Sequence, residues 1–492
     1  MSAPKVLVAF PGPAVKSIIW DRPDVVVFDA SGWWLFDAAT ATRRHVDVFE
    51  FTPTWSSNLD FGDLIERIRA LGPIWARWVA HAEQYELHSR EAANYVLHVI
   101  EGLSSLGVGA AVFHTGVAHH LDSSLLQIAC AKRRVPQVFL YENPIVTRLQ
   151  PLVQMSSIAD RRPLNAVVSD YQAGDAIRRF HANSLAGRKP ATSLRDAPIT
   201  RMFRSPWFGV ADAFYISARA RASAAVRRFT DESTPSTRFY QTFKPLGLPE
   251  FLRLIGNQRR GLKYHDAHVE RGDPFQRTKR DGRFTVLLAS HYQPEATSFP
   301  EGGQLHNHID IVVKLRAIGY EGPLVYKEHI GSYLYYSHII HQTRVGMNRN
   351  EAYYRMLREL GCVFMDPGTT FTINDAANAW VLPLTITGSM ALERALAGLR
   401  TIVCGVPWYK GLPGTWNLSS IESLDELSYE SARPSTEPSP EAFAFLEGQL
   451  SRSTMVNAPG VGSGRPSNDP DTIKAFTGEF NRFLEHLQVL AG

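Results

Sequence analysis

The chain is poor in cysteine, with three in 492 residues. Cys130, Cys362 and Cys404 are odd in number and far apart, so neither a disulfide framework nor a zinc-ligand spacing can be built from them. A reducing, cytoplasmic setting is the expectation. Long apolar runs are also missing, and no stretch reaches the length that spans a bilayer. The opening "MSAPKVLVAFPG" has one lysine and no cleavable leader pattern. Charge of one sign is not in large excess: the net is +4, which argues against a general nucleic-acid binder. No Asp-x-Asp cluster stands at the end of a predicted strand. Hydrophobic residues at 44% and charged residues at 20% leave ample material for packed cores. The length suggests two or three domains.

Short apolar runs alternate with helical periods over residues 1–170. "KVLVAF" (5–10), "DVVVFDA" (24–30) and "VDVFEF" (46–51) have the continuous apolar character of strands buried on both faces. A helical stretch from Phe61 to Leu106 follows, then "GAAVFHTG" (109–116), a helix in 122–135, the strand "PQVFLYE" (136–142) and a strand at 165–170. Strands alternating with helices predict a doubly wound parallel sheet. The same grammar returns over residues 283–470. Strands are predicted at 284–290, 323–329, 362–366, 381–388 and 400–405, with helices at 306–319, 350–360, 372–380 and 389–399. Gly319 and Gly361 read as helix stops. The fold class is α/β, two facing Rossmann-like domains, with residues 471–492 forming an amphipathic C-terminal helix.

Residues 171–282 separate the two domains as a basic, largely helical insertion. From Asp175 to Asp281 there are 21 Lys/Arg against 10 Asp/Glu, a net +11, so the remainder carries −7 against the whole-chain +4. A solvated basic face accounts for this. So does a docking surface for something anionic: a membrane leaflet, a lipid-linked acceptor or an acidic glycan. No nucleic-acid module accompanies the charge.

Ligands of such sheets bind at the carboxyl ends of the strands. In the second domain those ends are polar: Ser290-His291-Tyr292-Gln293-Pro294-Glu295 after the first strand, Lys327-Glu328-His329 after the second, and Gly388-Ser389 at a helix start that carries Glu393. Gly388-Ser389 is compatible with an ordinary N-cap and equally with free amides for a phosphate. Lys327 and Glu393 alone would pass as surface residues.

The motifs "HYQPEATS" with "GG", "VYKEH", "ITGSMALERALAG" and "TIVCGVPWY" resemble, in order and spacing over residues 283–410, the capsule polysaccharide biosynthesis family, which includes bacterial transferases of the acidic sugar Kdo. The resemblance implies a GT-B architecture and a nucleotide-sugar donor, CMP-Kdo or another CMP-linked acidic sugar, and with no Asp-x-Asp cluster at a strand end no essential metal and no further cofactor are expected. Gln293, Ser298, Lys327, Glu328, His329, Thr387, Gly388, Ser389 and Glu393 would then line the donor site. His291 and Glu295, with Glu142 or Asp122 of the acceptor-side first domain, would be the catalytic candidates. His291 or Ser298 would hold a sugar carboxylate. The acceptor would be a glycan or a lipid-linked molecule, met at the inner membrane surface through residues 175–281. Two positions depart from the family: His329-Ile330 stands where relatives have His-Pro, and Glu142-Asn143-Pro144 where Kdo-transferring relatives have Glu-Asp-Gly. A neutral Asn cannot serve as a carboxylate nucleophile or base. A sugar-nucleotide epimerase of the same fold, and a non-catalytic glycan- or membrane-binding assembly component, are the alternatives.

Overall fold

The computed structural model describes residues 4–9, 15, 18–20, 22–29, 34–37, 42–45, 61–69, 83–113, 121–164, 171–187, 248–275, 284–291, 301–329, 332, 349–427, 433–453 and 470–491. The predicted strands at 46–51 and 165–170, the helical pattern at 212–229, and Gln293, Glu295 and Ser298 lie outside the described residues. The chain divides into two compact units. One contains Met1–Ala173 and Glu447–Gly492, the other Gly174–Ala224 and Pro245–Leu446.

The first unit is built on an eight-stranded sheet: β1 (Lys5–Ala9), β2 (Val25–Asp29), β3 (Trp34–Asp37), β4 (Thr42–His45), β5 (Val108–Phe113), β6 (Gln137–Asn143), β7 (Arg148–Gln154) and β8 (Arg162–Pro163), in the order β4-β3-β2-β1-β5-β6-β7-β8. Its centre, β2-β1-β5-β6, is parallel as the alternation predicts, but both flanks are antiparallel. The connections explain the difference: four residues separate β3 from β4 and four separate β6 from β7, too few for the crossover that a parallel pair needs. The helices are α1 (Phe61–Arg69), α2 (Glu83–Ser105) and α3 (Leu121–Lys132). The stretch read as continuous from Phe61 to Leu106 therefore holds two helices, with 70–82 undescribed.

The second unit contains α4 (Gly174–Leu185), α5 (Leu248–Ala267), β9 (Thr285–Ala289), α6 (His308–Ala317), β10 (Leu324–Lys327), α7 (Glu351–Glu359), β11 (Cys362–Met365), β12 (Val381–Thr385), α8 (Met390–Leu396), β13 (Thr401–Val403) and β14 (Thr415–Asn417). The predicted helix at 372–380 is a single 3-10 turn, Ala376–Ala379. Every strand pair is parallel and the order is β11-β10-β9-β12-β13-β14. Numbered from β9, this is 3-2-1-4-5-6, the order of a doubly wound dinucleotide-type sheet. Asn307 and Asn350 cap α6 and α7 by accepting from the Ile309 and Tyr353 amides. Gly319 (φ 91°) and Gly361 (φ 86°) end them in the left-handed conformation that glycine adopts without strain. Val286, Leu288, Tyr326 and Leu384 of the sheet pack with Ile311, Leu315, Tyr354 and Leu357 of the helices.

α9 (Pro440–Ser453) leads the chain back to the first unit, where α10 (Pro470–Ala491) closes the core. Phe476, Phe480, Phe483, Leu484 and Leu487 pack on Val6, Val8, Val27, Val112 and Val138. The C-terminal amphipathic period is therefore the missing cover of the first sheet. Among the described residues, no helix is long and apolar enough to cross a membrane, and all three cysteines are free and buried.

Candidate functional site

In the second unit the chain leaves β9 toward β10 on one side and reaches β12 on the other, so the carboxyl ends of β9 and β12 meet at the switch point of the sheet. His291 follows β9, and Thr387 and Gly388 follow β12. The imidazole Nε2 of His291 lies 2.8 Å from Thr385 Oγ1 and accepts from the Thr387 amide at 3.4 Å. Gly388 N–H donates to Thr385 Oγ1 at 3.1 Å, and Tyr409 OH donates to Gly388 O at 2.7 Å. A Cβ at residue 388 would stand 2.6 Å from Thr385 Oγ1 and 3.4 Å from His291 Nε2, so glycine leaves room for the turn after β12 and for the His291 ring.

The amides expected to receive a phosphate are thus already engaged at Thr387 and Gly388. α8 is also only seven residues long and its Ser389 makes no cap bond. Ser389 Oγ instead donates to Glu393 Oε1 at 3.3 Å, one turn into the helix.

Glu328 corrects the expectation of a donor ligand. It is 0% exposed and paired at 2.9 Å with Arg349, also 0% exposed. Its Oε1 accepts from Ser290 Oγ, the His329 amide and Ser332 Oγ at 2.9, 2.7 and 3.1 Å. Its Oε2 accepts from Tyr326 OH, Tyr354 OH and Arg349 Nε at 2.7, 2.8 and 2.9 Å. With three donors on each oxygen, it has no capacity left for a ligand. Burial alone would raise its pKa, but the Arg349 guanidinium and the Tyr326 hydroxyl hold it below the carboxylate range.

Neighbouring Lys327 is partly buried, and its Nζ donates to Pro367 O at 3.2 Å. Burial lowers its pKa against the opposing pull of Glu328 and Asp366. His329 is exposed, its amide held by Ser290 Oγ at 2.6 Å. The structure therefore brings His291, Thr387 and Gly388 together at the switch point and sets Lys327 and His329 at the next strand end.

The first-unit candidates sit in a different setting. Glu142 is an exposed residue of β6, opposite Leu149 of β7 rather than in a loop after the strand. Asn143 is buried, donating from Nδ2 to Gln150 Oε1 at 2.9 Å and accepting from the Ile145 amide at 3.0 Å. The residue at the place of the family's second acid therefore holds the β6–β7 turn. Asp122 is the second residue of α3.

Sequence reading missed Arg349, His308 and the tyrosines Tyr326, Tyr353 and Tyr354. The available signal was weak: a lone arginine just before the helix-capping Asn350, and tyrosines in a helix whose apolar face is otherwise aliphatic. Among the described residues, no three His, Cys, Asp or Glu side chains are grouped to hold a metal ion.

A parallel 3-2-1-4-5-6 sheet with helices between its strands defines a doubly wound α/β unit, with polar groups gathered at its switch point. No family model and no curated protein matches the chain. Among solved structures it is similar to Thermosulfurimonas dismutans KpsC, a beta Kdo 2,7 transferase, at 13% identity and a TM-score of 0.22. The match covers 46% of this chain and 61% of that one, so the chain spans less than two thirds of that structure.

Proposed function

We propose that the chain is a glycosyltransferase of bacterial surface-polysaccharide assembly, and that its second unit binds the nucleotide-sugar donor at the ends of β9 and β12. The observation that carries this reading is the meeting of His291 with Thr385, Thr387 and Gly388 at the switch point, where sheets of this order take their ligands. The motif resemblance over residues 283–410 supplies the ligand class and favours a CMP-linked acidic sugar such as Kdo.

With the Thr387 and Gly388 amides engaged, Lys327 and the exposed ring of His329 would take the donor phosphate, as charge-assisted or neutral hydrogen-bond donors. The Glu393 carboxylate would receive a ribose hydroxyl. Gln293, Glu295 and Ser298 would meet the sugar, and Glu142 or Asp122 would provide the carboxylate that works on the acceptor hydroxyl. The acceptor would be a glycan or lipid-linked molecule, with the basic stretch 175–281 facing an anionic membrane surface.

A thermal-shift series with CMP, UDP, GDP and their sugar-linked forms tests the reading, because a ligand of the native state raises Tm by mass action. CMP and CMP-Kdo should raise it most. A larger rise with UDP or GDP would replace the donor, and no rise with any nucleotide at millimolar concentration would overturn the reading. Glu295→Ala and His329→Ala should abolish slow hydrolysis of the donor in the absence of acceptor.

A further inference from the structure

His291 is held at three points. Its backbone N–H donates to His308 Nε2 at 3.2 Å, and its carbonyl accepts from Arg349 Nη2 at 3.0 Å. The third point is the ring Nε2, between Thr385 Oγ1 and the Thr387 amide. The inventory of donors fixes the direction of each bond. A backbone N–H can only donate, so Nε2 must offer a lone pair to Thr387. With Nε2 unprotonated, the Thr385 hydroxyl, which accepts the Gly388 N–H, turns its own hydrogen to the same Nε2. A ring nitrogen that receives two donors carries no proton, so the hydrogen of the neutral imidazole resides on Nδ1. Among the described residues, Nδ1 has no protein partner, and the residue is only partly buried.

The support continues through His308, whose Nε2 accepts from the His291 amide and whose Nδ1 lies 3.1 Å from Tyr353 OH and 3.3 Å from Arg349 Nη2. Tyr353 OH lies 3.2 Å from Tyr326 OH, which donates to Glu328, the partner of Arg349. Among the described residues, the charged and titratable groups around His291 are Arg349, His308, His329 and Glu328, and the carboxylate among them is neutralised by Arg349. Protonating His291 would set a second cation beside a buried guanidinium. Burial first, then the charges of His329 and Arg349, push its pKa down to about 3.

We infer that His291 is a neutral hydrogen-bond donor aimed before the ligand arrives, its Nδ1–H serving an anionic oxygen of the bound nucleotide sugar, with Arg349 and Glu328 as its positioning residues. The ligand class rests on the function proposed above; the tautomer and its support rest on the geometry alone. His291 then transfers no proton. It supplies orientation, and its partner is either a phosphate oxygen or a sugar carboxylate.

Two measurements test this separately. Ring-nitrogen NMR of the histidine-labelled chain, with His291 assigned by the His291→Asn variant, should show a neutral Nδ1–H tautomer unchanged from pH 8 to 5. Titration in that range, or a proton on Nε2, would overturn the inference. Thr385→Val should loosen the tautomer without touching Nδ1. Binding of CMP and of CMP-Kdo is the second arm. His291→Ala should weaken binding on the order of tenfold, the scale of one hydrogen bond to a charged group. His291→Asn, whose carboxamide N–H lies near the Nδ1 position, should restore most of it. Weakening for both probes assigns the phosphate, and weakening for CMP-Kdo alone assigns the carboxylate. Equal binding by the Ala variant, or failure of Asn to restore, would overturn the role. If the unmutated chain binds neither probe, the glycosyltransferase reading fails while the NMR still decides the tautomer.

Discussion

Arg349 and Glu328 show how one ion pair can be costly to make and costlier to break. Both are fully buried; Glu328 is compensated by Arg349, by hydroxyls and by the His329 amide, and Arg349 by Glu328 and the His291 carbonyl. Arg349→Met leaves Glu328 charged with no cation beside it, at a cost of about 3–5 kcal/mol. Adding Glu328→Gln should return much of that loss, because the remaining amide is neutral. Denaturant unfolding of the second unit, followed by its own fluorescence, checks both variants. A single mutant as stable as the parent would mean that water reaches the pair. The sequence made Glu328 visible as a polar residue ending an apolar strand, but not its burial. Its partner lies 21 residues on, and no local period connects the two. His291 was legible as a site residue for the same reason of position. Its charge state was not, because that depends on Thr385 and Thr387 from a strand 94 or more residues away.

At the scale of elements, the second unit was legible almost strand by strand, because parallel strands buried on both faces read as unbroken apolar runs with helices between them. The flanks of the first sheet were not. "TRRH" of β4 is polar throughout and "RLQPLVQ" of β7, though buried at all but its first residue, interrupts its apolar residues with polar ones, so neither has the run that marks a central strand. Helix packing also fixes the site. α5 passes so close to the segment before α7 that a Cβ on Gly261 would stand 2.2 Å from Arg349 O. Gly261→Ala should therefore shift the backbone that carries Arg349 and cost on the order of 1–3 kcal/mol, the usual range for overpacking. It should also weaken CMP binding although residue 261 touches no ligand. Tm and affinity, measured on the same protein, check this; unchanged affinity with a lowered Tm would mean that Arg349 does not position His291.

Across the whole molecule, the buried histidines link stability to pH. His291 is neutral in the folded chain, its pKa lowered to about 3, and His308 is lowered by burial and by Arg349. An unfolded histidine takes up its proton below about 6.5. The stabilisation is thus whole above that value and is lost progressively as pH falls toward the folded pKa. His291 alone accounts for about 2 kcal/mol by pH 5. Glu328, with its pKa depressed, adds its own loss only below the ordinary carboxylate range. Tm should therefore fall by about 4–8 °C between pH 7.5 and 5 on account of His291, for a unit of about 250 residues. A flat profile over that interval would contradict the neutral histidine.

The return of α10 to the first sheet carries a consequence for the way the protein is made. The phenylalanines that cover Val6, Val8 and Val112 are translated after every strand of both sheets. While the ribosome works through the intervening chain, the first sheet has its strands but not its cover. All six strands of the second sheet, by contrast, are available once Asn417 has emerged. The unit encoded second is the one that can finish first, and the first sheet is the portion that needs protection from aggregation until α10 has emerged.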